Sequence, residues 1–283
     1  MAEKKVLITG ANGYIGKHVT NYLSQKSNCE IIPVDILKNS DSKNSIALDI
    51  LNYEKDDLYE KLSSPDIIIH LAWQDGFNHY AESHLKNLYS HFNFIKKMCD
   101  SGCKSITVMG SMHEVGYYEG EINSDTSCNP LSLYGIAKNA LRQACFSYVS
   151  DKDISLKWLR GFYIIGDDFN NKSIFTKIVQ LEKEGKETFP FTMGTNRYDF
   201  IDIDEIASQI AEASLQNEIS GIINCCSGKP VALKDKVEEF IKEKGLKIRP
   251  LYGVFPDRKY DSPYIYGNVN LIKKIMENSK QKV

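Results

Sequence analysis

The segment Val6–Gly16, with the sequence VLITGANGYIG, constrains the fold of this chain more than any other. Its first four residues are apolar or β-prone, and a glycine follows directly, which predicts a buried strand. Apolar residues then recur at helical spacing, so a helix is predicted to begin at or near Gly13. A strand, a glycine turn and a helix N-terminus together form an anion site, because backbone N–H groups and the helix dipole favour negative charge.

The glycines of this turn, Gly10, Gly13 and Gly16, are spaced three residues apart. Glycine lets the backbone approach a pyrophosphate, but this spacing differs from the G-x-G-x-x-G form of many dehydrogenases, so an ordinary glycine-rich turn stays open. The next predicted strand, residues 30–35, ends in Asp35, about 20 residues beyond the glycines. A carboxylate there can bind the adenosine ribose and repel a 2′-phosphate, which favours NAD over NADP; the alternative is a solvated aspartate.

Strand and helix patterns alternate over the first half of the chain. Strands are predicted at 45–50, 65–73 and 105–111, with helices ending near Leu62 and covering 80–101. This alternation predicts an α/β fold with a doubly wound parallel sheet. The later segments are shorter and less regular: helices at 174–184, 206–216, 232–244 and 271–278, strands at 221–227 and 247–254, and a loop or edge strand at 188–197.

The composition is that of an ordinary globular chain, with 283 residues, 42% apolar residues and a net charge of −2. This charge provides no basic field for nucleic acid or membranes, and no apolar run approaches the ~20 residues of a membrane span. The seven cysteines are scattered without a C-x-x-C pair or zinc spacing, so no metal site is predicted. With no room for a signal peptide before the first strand, we expect a reduced, cytoplasmic protein without nucleic-acid or membrane partners.

Three residues in the middle of the chain are candidates for acid–base chemistry. Ser111 ends the strand at 105–111, at the edge where parallel sheets bind ligands. Tyr134 and Lys138 are four residues apart on a predicted helix at about 133–150, so they share one face. An ammonium near a phenol lowers the pKa of the phenol, which makes Tyr134 a usable proton donor or acceptor. A surface Tyr–Lys pair is the alternative.

Together these motifs resemble the extended short-chain dehydrogenase/reductase family of nucleotide-sugar epimerases, dehydratases and reductases. The resemblance runs from Val6 to about Ile275. It is carried by the motifs TGANGYIG at 9–16, LDI at 48–50, HLA at 70–72, NLYSHFN at 87–93, YxxxK at 134–138, LRGFYIIG at 159–166, YDFIDIDE at 198–205, NxxSGKP at 224–230 and RxxD at 258–261, with Asp35 and Ser111.

This resemblance implies a Rossmann-type domain over residues 1–166 that carries the catalytic set Ser111, Tyr134 and Lys138. Residues 167–283 would be mostly a small substrate-binding region, with about 198–227 returning to the first domain. The cofactor contacts implied are Gly10, Asn12, Gly13, Tyr14, Ile15, Gly16, Asp35, Ile36, Asp49, Ile50, Leu71, Ala72, Trp73, Asn87 and Lys138. The substrate contacts implied are Asn171, Ser173, Phe175, Phe189, Arg197 and Arg258. Lys138 would also keep Tyr134 acidic, and the family often forms dimers through the helices at 80–101 and 134–150.

Departures from the family narrow the expected chemistry. Dehydratases of the family place an Asp-Glu pair directly after the strand-end residue, where this chain has Met112 and His113, with Glu114 one step late. Tyr163 stands where the family has an asparagine near the substrate diphosphate, and the cysteine of epimerase-reductases is missing after Ser111. His113 either hydrogen-bonds the sugar or is a loop histidine, and His70 is expected to be structural.

We therefore expect NAD(P)H-dependent reduction of a nucleotide-linked 4-keto-6-deoxyhexose, with Tyr134 as the proton donor. A nucleotide-sugar 4-epimerase with retained NAD has the same catalytic residues and remains the first alternative. A dinucleotide-sensing regulator on the same fold is the second alternative, and it would predict a broken catalytic set.

Overall fold

The computed structural model describes residues 4–26, 29–38, 44–166, 173–256 and 261–281. Strands in chain order are β1 (Lys4–Thr9), β2 (Cys29–Asp35), β3 (Ile46–Ala47), β4 (Ile67–His70), β5 (Ser105–Ser111), β6 (Gly120–Ile122), β7 (Ser155–Gly161), β8 (Tyr163–Ile165), β9 (Thr188–Pro190), β10 (Arg197–Asp202), β11 (Gly221–Cys225), β12 (Pro230–Ala232), β13 (Arg249–Leu251) and β14 (Tyr264–Gly267).

The α-helices in chain order are α1 (Tyr14–Ser24), α2 (Leu58–Lys61), α3 (Ser83–Lys86), α4 (Leu88–Asp100), α5 (Leu133–Val149), α6 (Ile174–Lys183), α7 (Ile203–Leu215), α8 (Leu233–Glu243) and α9 (Asn270–Gln281). A short 3-10 helix covers Met112–Glu114. Among the described residues, no helix combines the length and the apolar character that crossing a bilayer requires.

The main sheet has seven strands in the order β3-β2-β1-β4-β5-β7-β11, and all of its pairings are parallel. Strand β1, which lies between β2 and β4, is buried on both faces. Val6 and Ile8 pack with residues of α1, α7 and α9, whereas Leu7 packs on the other face with residues of α2, α4 and α5. This two-sided burial explains why the strand is apolar at consecutive positions. The predicted doubly wound α/β fold is confirmed.

A smaller sheet lies beyond the carboxyl ends of these strands. Its order is β12-β10-β14-β6, with β8 also paired to β10, and β9 pairs separately with β13. A third apolar cluster joins α6 and α8 to β9 through Phe175, Phe189 and Phe240. Because β6 belongs to the smaller sheet and β11 returns to the main sheet, the chain crosses between the two sheets more than once. The division into domains at residue 166 stays a prediction.

Several predicted elements differ from the observed ones: the strands predicted at 45–50, 65–73 and 247–254 are shorter, at 46–47, 67–70 and 249–251. The helix expected over 80–101 is divided into α3 and α4 at Asn87, which is the C-cap of the first and the N-cap of the second. The LRGFYIIG motif at 159–166 spans two strands, since β7 runs from Ser155 to Gly161 and β8 begins at Tyr163 after an interruption at Phe162. The strands β6 and β12 have only three residues each, which is too short to leave a periodic pattern in the sequence.

Candidate active site

Two glycines of the loop between β1 and α1 have no room for a side chain. Gly10 has a φ of +69°, and a Cβ there would lie 2.7 Å from the Cα of Ala72. A Cβ on Gly16 would lie 2.0 Å from the carbonyl oxygen of Gly10. Gly13 is the N-cap of α1 and provides no side-chain hydrogen bond. No capping side chain therefore competes with an anion for the N-terminus of α1, so the loop fits a dinucleotide pyrophosphate.

Asp35, the last residue of β2, is fixed beside this loop. Its carboxylate accepts hydrogen bonds from the backbone N–H of Asn12 at 2.9 Å and of Ile36 at 2.8 Å. The side-chain amide of Asn12 in turn donates to the carbonyl oxygen of Leu37 at 2.7 Å. The acid predicted to bind the ribose is thus tied to the loop predicted to bind the pyrophosphate.

One cleft of about 1840 Å³ runs along the carboxyl edge of the main sheet and under the smaller sheet. All of the predicted cofactor residues line it, from the glycine loop through Asp49 and Ile50 to Lys138. Ser111, His113 and Tyr134 line the same cleft. The structure therefore brings the predicted cofactor residues and the predicted catalytic residues together, and the glycine loop, acid and open edge fit NAD.

Tyr134 lies in the first turn of α5, beside Ser111 at the end of β5. Burial raises the pKa of Tyr134 to about 12, and a hydrogen bond with the Ser111 side chain opposes this shift. The sequence predicted a lowered pKa, and that prediction was wrong. The physical reason is that the phenol is desolvated, while the ammonium expected to lower its pKa is directed elsewhere.

Lys138 is buried, at 3% exposure, and its amine donates to the carbonyl oxygen of Met109 at 2.7 Å. The Nζ atom lies 3.7 Å from the ring centre of Trp73 but 5.9 Å from that of Tyr134. Burial lowers the pKa of Lys138 to about 7, so near neutral pH the amine is charged in only part of the molecules. The π face of the Trp73 indole stabilises the charged form of the Lys138 amine.

Trp73 is the centre of a histidine-rich cluster behind the site. Its indole stacks on His91 with ring centres 4.5 Å apart, and its Nε1–H donates to His84 Nδ1 at 3.1 Å. His91 Nδ1 shares a 2.9 Å hydrogen bond with His70 Nε2, and His70 Nδ1 shares one of 2.8 Å with the hydroxyl of Thr9. Burial lowers the pKa of His70 to about 3 and of His91 to about 2, so both are neutral. These histidines connect strands β1 and β4 to α4.

Two further histidines surround the phenol of Tyr134. His79 stacks on it, with ring centres 5.0 Å apart and planes 14° apart. His113 lies with its ring centre 6.1 Å from that of Tyr134 and 4.4 Å from that of His79. Burial lowers the pKa of His113 to about 3. His113 thus lines the cleft as an uncharged imidazole, able to donate one hydrogen bond and accept another.

Glu114 is directed into the core. Its carboxylate accepts from Trp158 Nε1 at 2.8 and 3.0 Å and from the Ser111 backbone N–H at 2.6 Å. It also lies 3.4 Å from Arg160 Nε and 3.6 Å from Arg142 Nε. With Ser111 it forms a capping box on the 3-10 helix. Glu114 is therefore committed to structure and does not provide a dehydratase-type acid in the cleft.

The substrate side of the cleft is aromatic. Tyr163 and Tyr198 stack with ring centres 4.4 Å apart, and Phe200 lies 5.8 Å from Tyr163. The predicted substrate residues Ser173, Phe175 and Phe189 line the cleft. Tyr163, which replaces the family asparagine, thus contributes a ring to this wall and not an amide.

Arg197 does not line the cleft, contrary to the prediction. Alternate residues of a strand point to opposite faces, and on β10 it is Tyr198 and Phe200 that line the cleft. The Arg197 side chain is exposed and donates to the carbonyl oxygen of Pro230 at 3.3 Å. The other predicted basic contact, Arg258, and the predicted Asn171 lie outside the described residues.

Sequence reasoning missed His79, His84 and His91 because no spacing rule connects them to Tyr134. His79 and His84 contact Tyr134 through the path of the segment after β4, and His91 stacks on Trp73 from α4. The capping box is different, since Ser111 and Glu114 form the S-x-x-E pattern that signals a helical start. That signal is sufficient to assign Glu114 to structure.

The model of the NAD dependent epimerase/dehydratase family matches residues 6–226. The chain belongs to this family. It is 46% identical to the dTDP-6-deoxy-L-talose 4-dehydrogenase (NAD(+)) of Aggregatibacter actinomycetemcomitans over 270 residues, which covers 93% of this chain and 98% of that protein. It is 24% identical to the GDP-6-deoxy-D-mannose reductase of Pseudomonas aeruginosa over 250 residues, which covers 83% of this chain and 78% of that protein.

Solved structures share the fold. The UDP-N-acetylglucosamine 4-epimerase from Methanobrevibacter ruminantium M1, in complex with UDP-N-acetylmuramic acid, aligns with a TM-score of 0.82 and 21% identity over 97% of this chain and 92% of that chain. The UDP-glucuronic acid 4-epimerase from Bacillus cereus, in complex with UDP-glucuronic acid and NAD, gives a TM-score of 0.79 and 20% identity over 96% and 93% of the two chains. The protein is an NAD-dependent enzyme of this family.

Proposed function

We propose that the protein is an NAD-dependent 4-dehydrogenase of a dTDP-linked 6-deoxyhexose, which interconverts the C4 hydroxyl and the C4 ketone. The observation that carries the proposal is the 46% identity to a dTDP-6-deoxy-L-talose 4-dehydrogenase over nearly the whole of both chains. The cleft supports it, because Ser111, Tyr134 and the glycine loop line one continuous space. The reduction expected from the sequence and the oxidation in the relative's name are two directions of this one reaction.

In this proposal NAD is held by the glycine loop, Asp35 and Lys138, and it supplies the hydride acceptor or donor. The chain's own residues handle the proton. Tyr134 gives a proton to, or takes one from, the oxygen on sugar C4, and Ser111 hydrogen-bonds the same oxygen and holds it in line. His113 is placed to hydrogen-bond a neighbouring sugar hydroxyl as a neutral group.

The protonation state of Tyr134 suits the step in which it donates a proton to the sugar oxygen. With its pKa raised to about 12, the phenol is protonated at neutral pH and ready to act as a donor. Oxidation needs Tyr134 as a base, so it requires a positive electrostatic potential at the phenol that lowers this pKa. We expect oxidation to become faster as the pH rises, because a larger fraction of the phenol is then ionised and can act as a base.

The test is a pair of assays on the purified protein. NADH absorbance is followed after addition of a dTDP-4-keto-6-deoxyhexose, and NADH formation is followed with dTDP-6-deoxy-L-talose and NAD. Turnover in both supports the proposal. Retention of NAD through purification, with interconversion of two nucleotide sugars and no net change in NADH, would establish the 4-epimerase instead.

We also propose a cytoplasmic homodimer formed through α4 and α5. These two helices pack side by side, and apolar side chains remain exposed on them and on the adjoining α3. The exposed fractions are 46% for Leu85 on α3, 72% for Tyr89 on α4 and 42% for Ile136 on α5. Light scattering coupled to size-exclusion chromatography measures the mass directly. A monomer at micromolar concentration would contradict this proposal.

A further inference from the structure

The segment 74–82, which follows β4, contacts the N-terminal turn of α5. The backbone N–H of Tyr134 donates to the carbonyl oxygen of His79 at 3.0 Å. The first N–H groups of a helix have no acceptor within the helix, so His79 satisfies a donor that would otherwise lack one. The imidazole of the same residue stacks on the Tyr134 ring at 5.0 Å and 14°. His79 therefore holds Tyr134 at two points, its main chain and its ring.

The segment 74–82 is itself anchored. The carboxylate of Asp75 accepts a hydrogen bond from the hydroxyl of Ser83 at 2.7 Å. The backbone carbonyl oxygen of Asp75 accepts one from the N–H of Asn78, also at 2.7 Å. His84 Nε2 donates to the Asn78 carbonyl oxygen at 2.8 Å, since its Nδ1 accepts from Trp73. The position of His79 is thus linked through Asn78 and His84 to Trp73, a residue of the cofactor cleft.

His113 completes the arrangement around the phenol. Its ring meets the ring of His79 edge-on, at 4.4 Å and 67°, and it meets Tyr134 at the same angle. The plane of the phenol is therefore set by one stacked ring and one steeply inclined ring. Proton transfer requires hydrogen-bonding distance between the phenolic oxygen and the sugar oxygen. A swing of the whole phenol ring toward His79 would move the reacting oxygen out of line, and the stacked imidazole blocks that swing.

We propose that His79 is a positioning residue for Tyr134, which acts by stacking its ring on the phenol. The residue belongs to none of the motifs that carry the family resemblance. The inference rests on the proposed function, because its main readout is turnover. It requires a planar ring at position 79 and does not require the imidazole nitrogens.

The experiment compares His79→Ala, which removes the stacked ring, with His79→Phe, which keeps a planar ring without nitrogens. Both variants keep the backbone hydrogen bond from the N–H of Tyr134 to the carbonyl oxygen of residue 79. We expect kcat to fall by about 10- to 100-fold in His79→Ala with KM changed less than about threefold, and His79→Phe to recover most of the loss. Glu82→Gln, an exposed change at the end of the same segment, is the matched control and should keep wild-type kcat.

Binding of NAD, measured as thermal stabilisation, should be the same in all variants, because His79 lies outside the predicted cofactor set. Equal kcat in wild type and His79→Ala overturns the inference. Equal losses in His79→Ala and His79→Phe with a raised KM overturn it too, since they would assign a substrate contact to the imidazole nitrogens. Failure of the wild-type protein to turn over any nucleotide sugar would instead refute the proposed function.

Discussion

At the scale of single residues, Tyr134 is the side chain on which the proposed chemistry depends most directly. Replacement by Phe removes the phenolic oxygen but keeps the ring that stacks on His79. We expect kcat to fall by at least about 100-fold, the contribution typical of a positioned acid or base. The affinity for NAD, measured by titration, should be unchanged, since the oxygen is used for the sugar. Near-normal turnover in Tyr134→Phe would remove Tyr134 from the mechanism.

Lys138 makes a prediction about stability and pH. Its pKa is about 7 in the folded protein, against 10.5 for an ordinary lysine. Between these values unfolding takes up a proton, so stability rises with pH. The energetic cost of burying the charged amine is therefore largest below about pH 7. Each unit by which the pKa is lowered corresponds to about 1.4 kcal/mol of this cost.

Lys138→Met removes this charge, so the variant should be more stable than wild type near about pH 6, with the advantage shrinking toward about pH 10. Urea unfolding across this range measures the difference, which should change by about a few kcal/mol. Lys86→Met, at an exposed lysine, is the control and should show no such trend. A constant difference between Lys138→Met and wild type would contradict the assigned pKa.

At the scale of elements, the 3-10 helix after β5 depends on Glu114. Removing one partner of a buried ion pair leaves an uncompensated charge, and Arg160 is fully buried beside this carboxylate. Glu114→Ala should lower the free energy of unfolding by about 3–5 kcal/mol, and Glu114→Gln, which keeps the shape and an acceptor, by less. Chemical denaturation measures both. Loss of turnover in Glu114→Gln at wild-type stability would show a catalytic acid instead.

The cleft as a whole shows what could and could not be predicted from the sequence. The strand–glycine–helix unit, Asp35 and the Tyr134–Lys138 pair follow from local spacing, so their places along one cleft were predictable. The charge states of Tyr134 and Lys138 depend on burial, which no spacing reveals. The contact of His79 with Tyr134 depends on the path of a loop, and Arg197 was misplaced because the register of β10 decides which of its residues face the cleft.

At the scale of the whole molecule, Asp199 joins separate parts of the smaller sheet. The carboxylate is fully buried and accepts from the backbone N–H groups of Ser227, Gly228 and Gly267 at 2.9, 2.9 and 3.0 Å, and from the Ser227 hydroxyl at 2.6 Å. One side chain on β10 therefore fixes the turn after β11 and the end of β14. These segments support Tyr198 and Phe200, which line the cleft on its substrate side.

Asp199→Asn tests this role, because an amide keeps one acceptor and turns the other toward N–H groups as a donor. We expect a loss of about 2–4 kcal/mol in the free energy of unfolding, since buried donors are left without their charged acceptor. KM for the nucleotide sugar should rise more than the dissociation constant for NAD, since the glycine loop and Asp35 lie on the main sheet. Urea unfolding and separate titrations of the two ligands measure these effects. If binding of the nucleotide sugar and of NAD weakened equally, Asp199 would stabilise the whole molecule and not the substrate side of the cleft in particular.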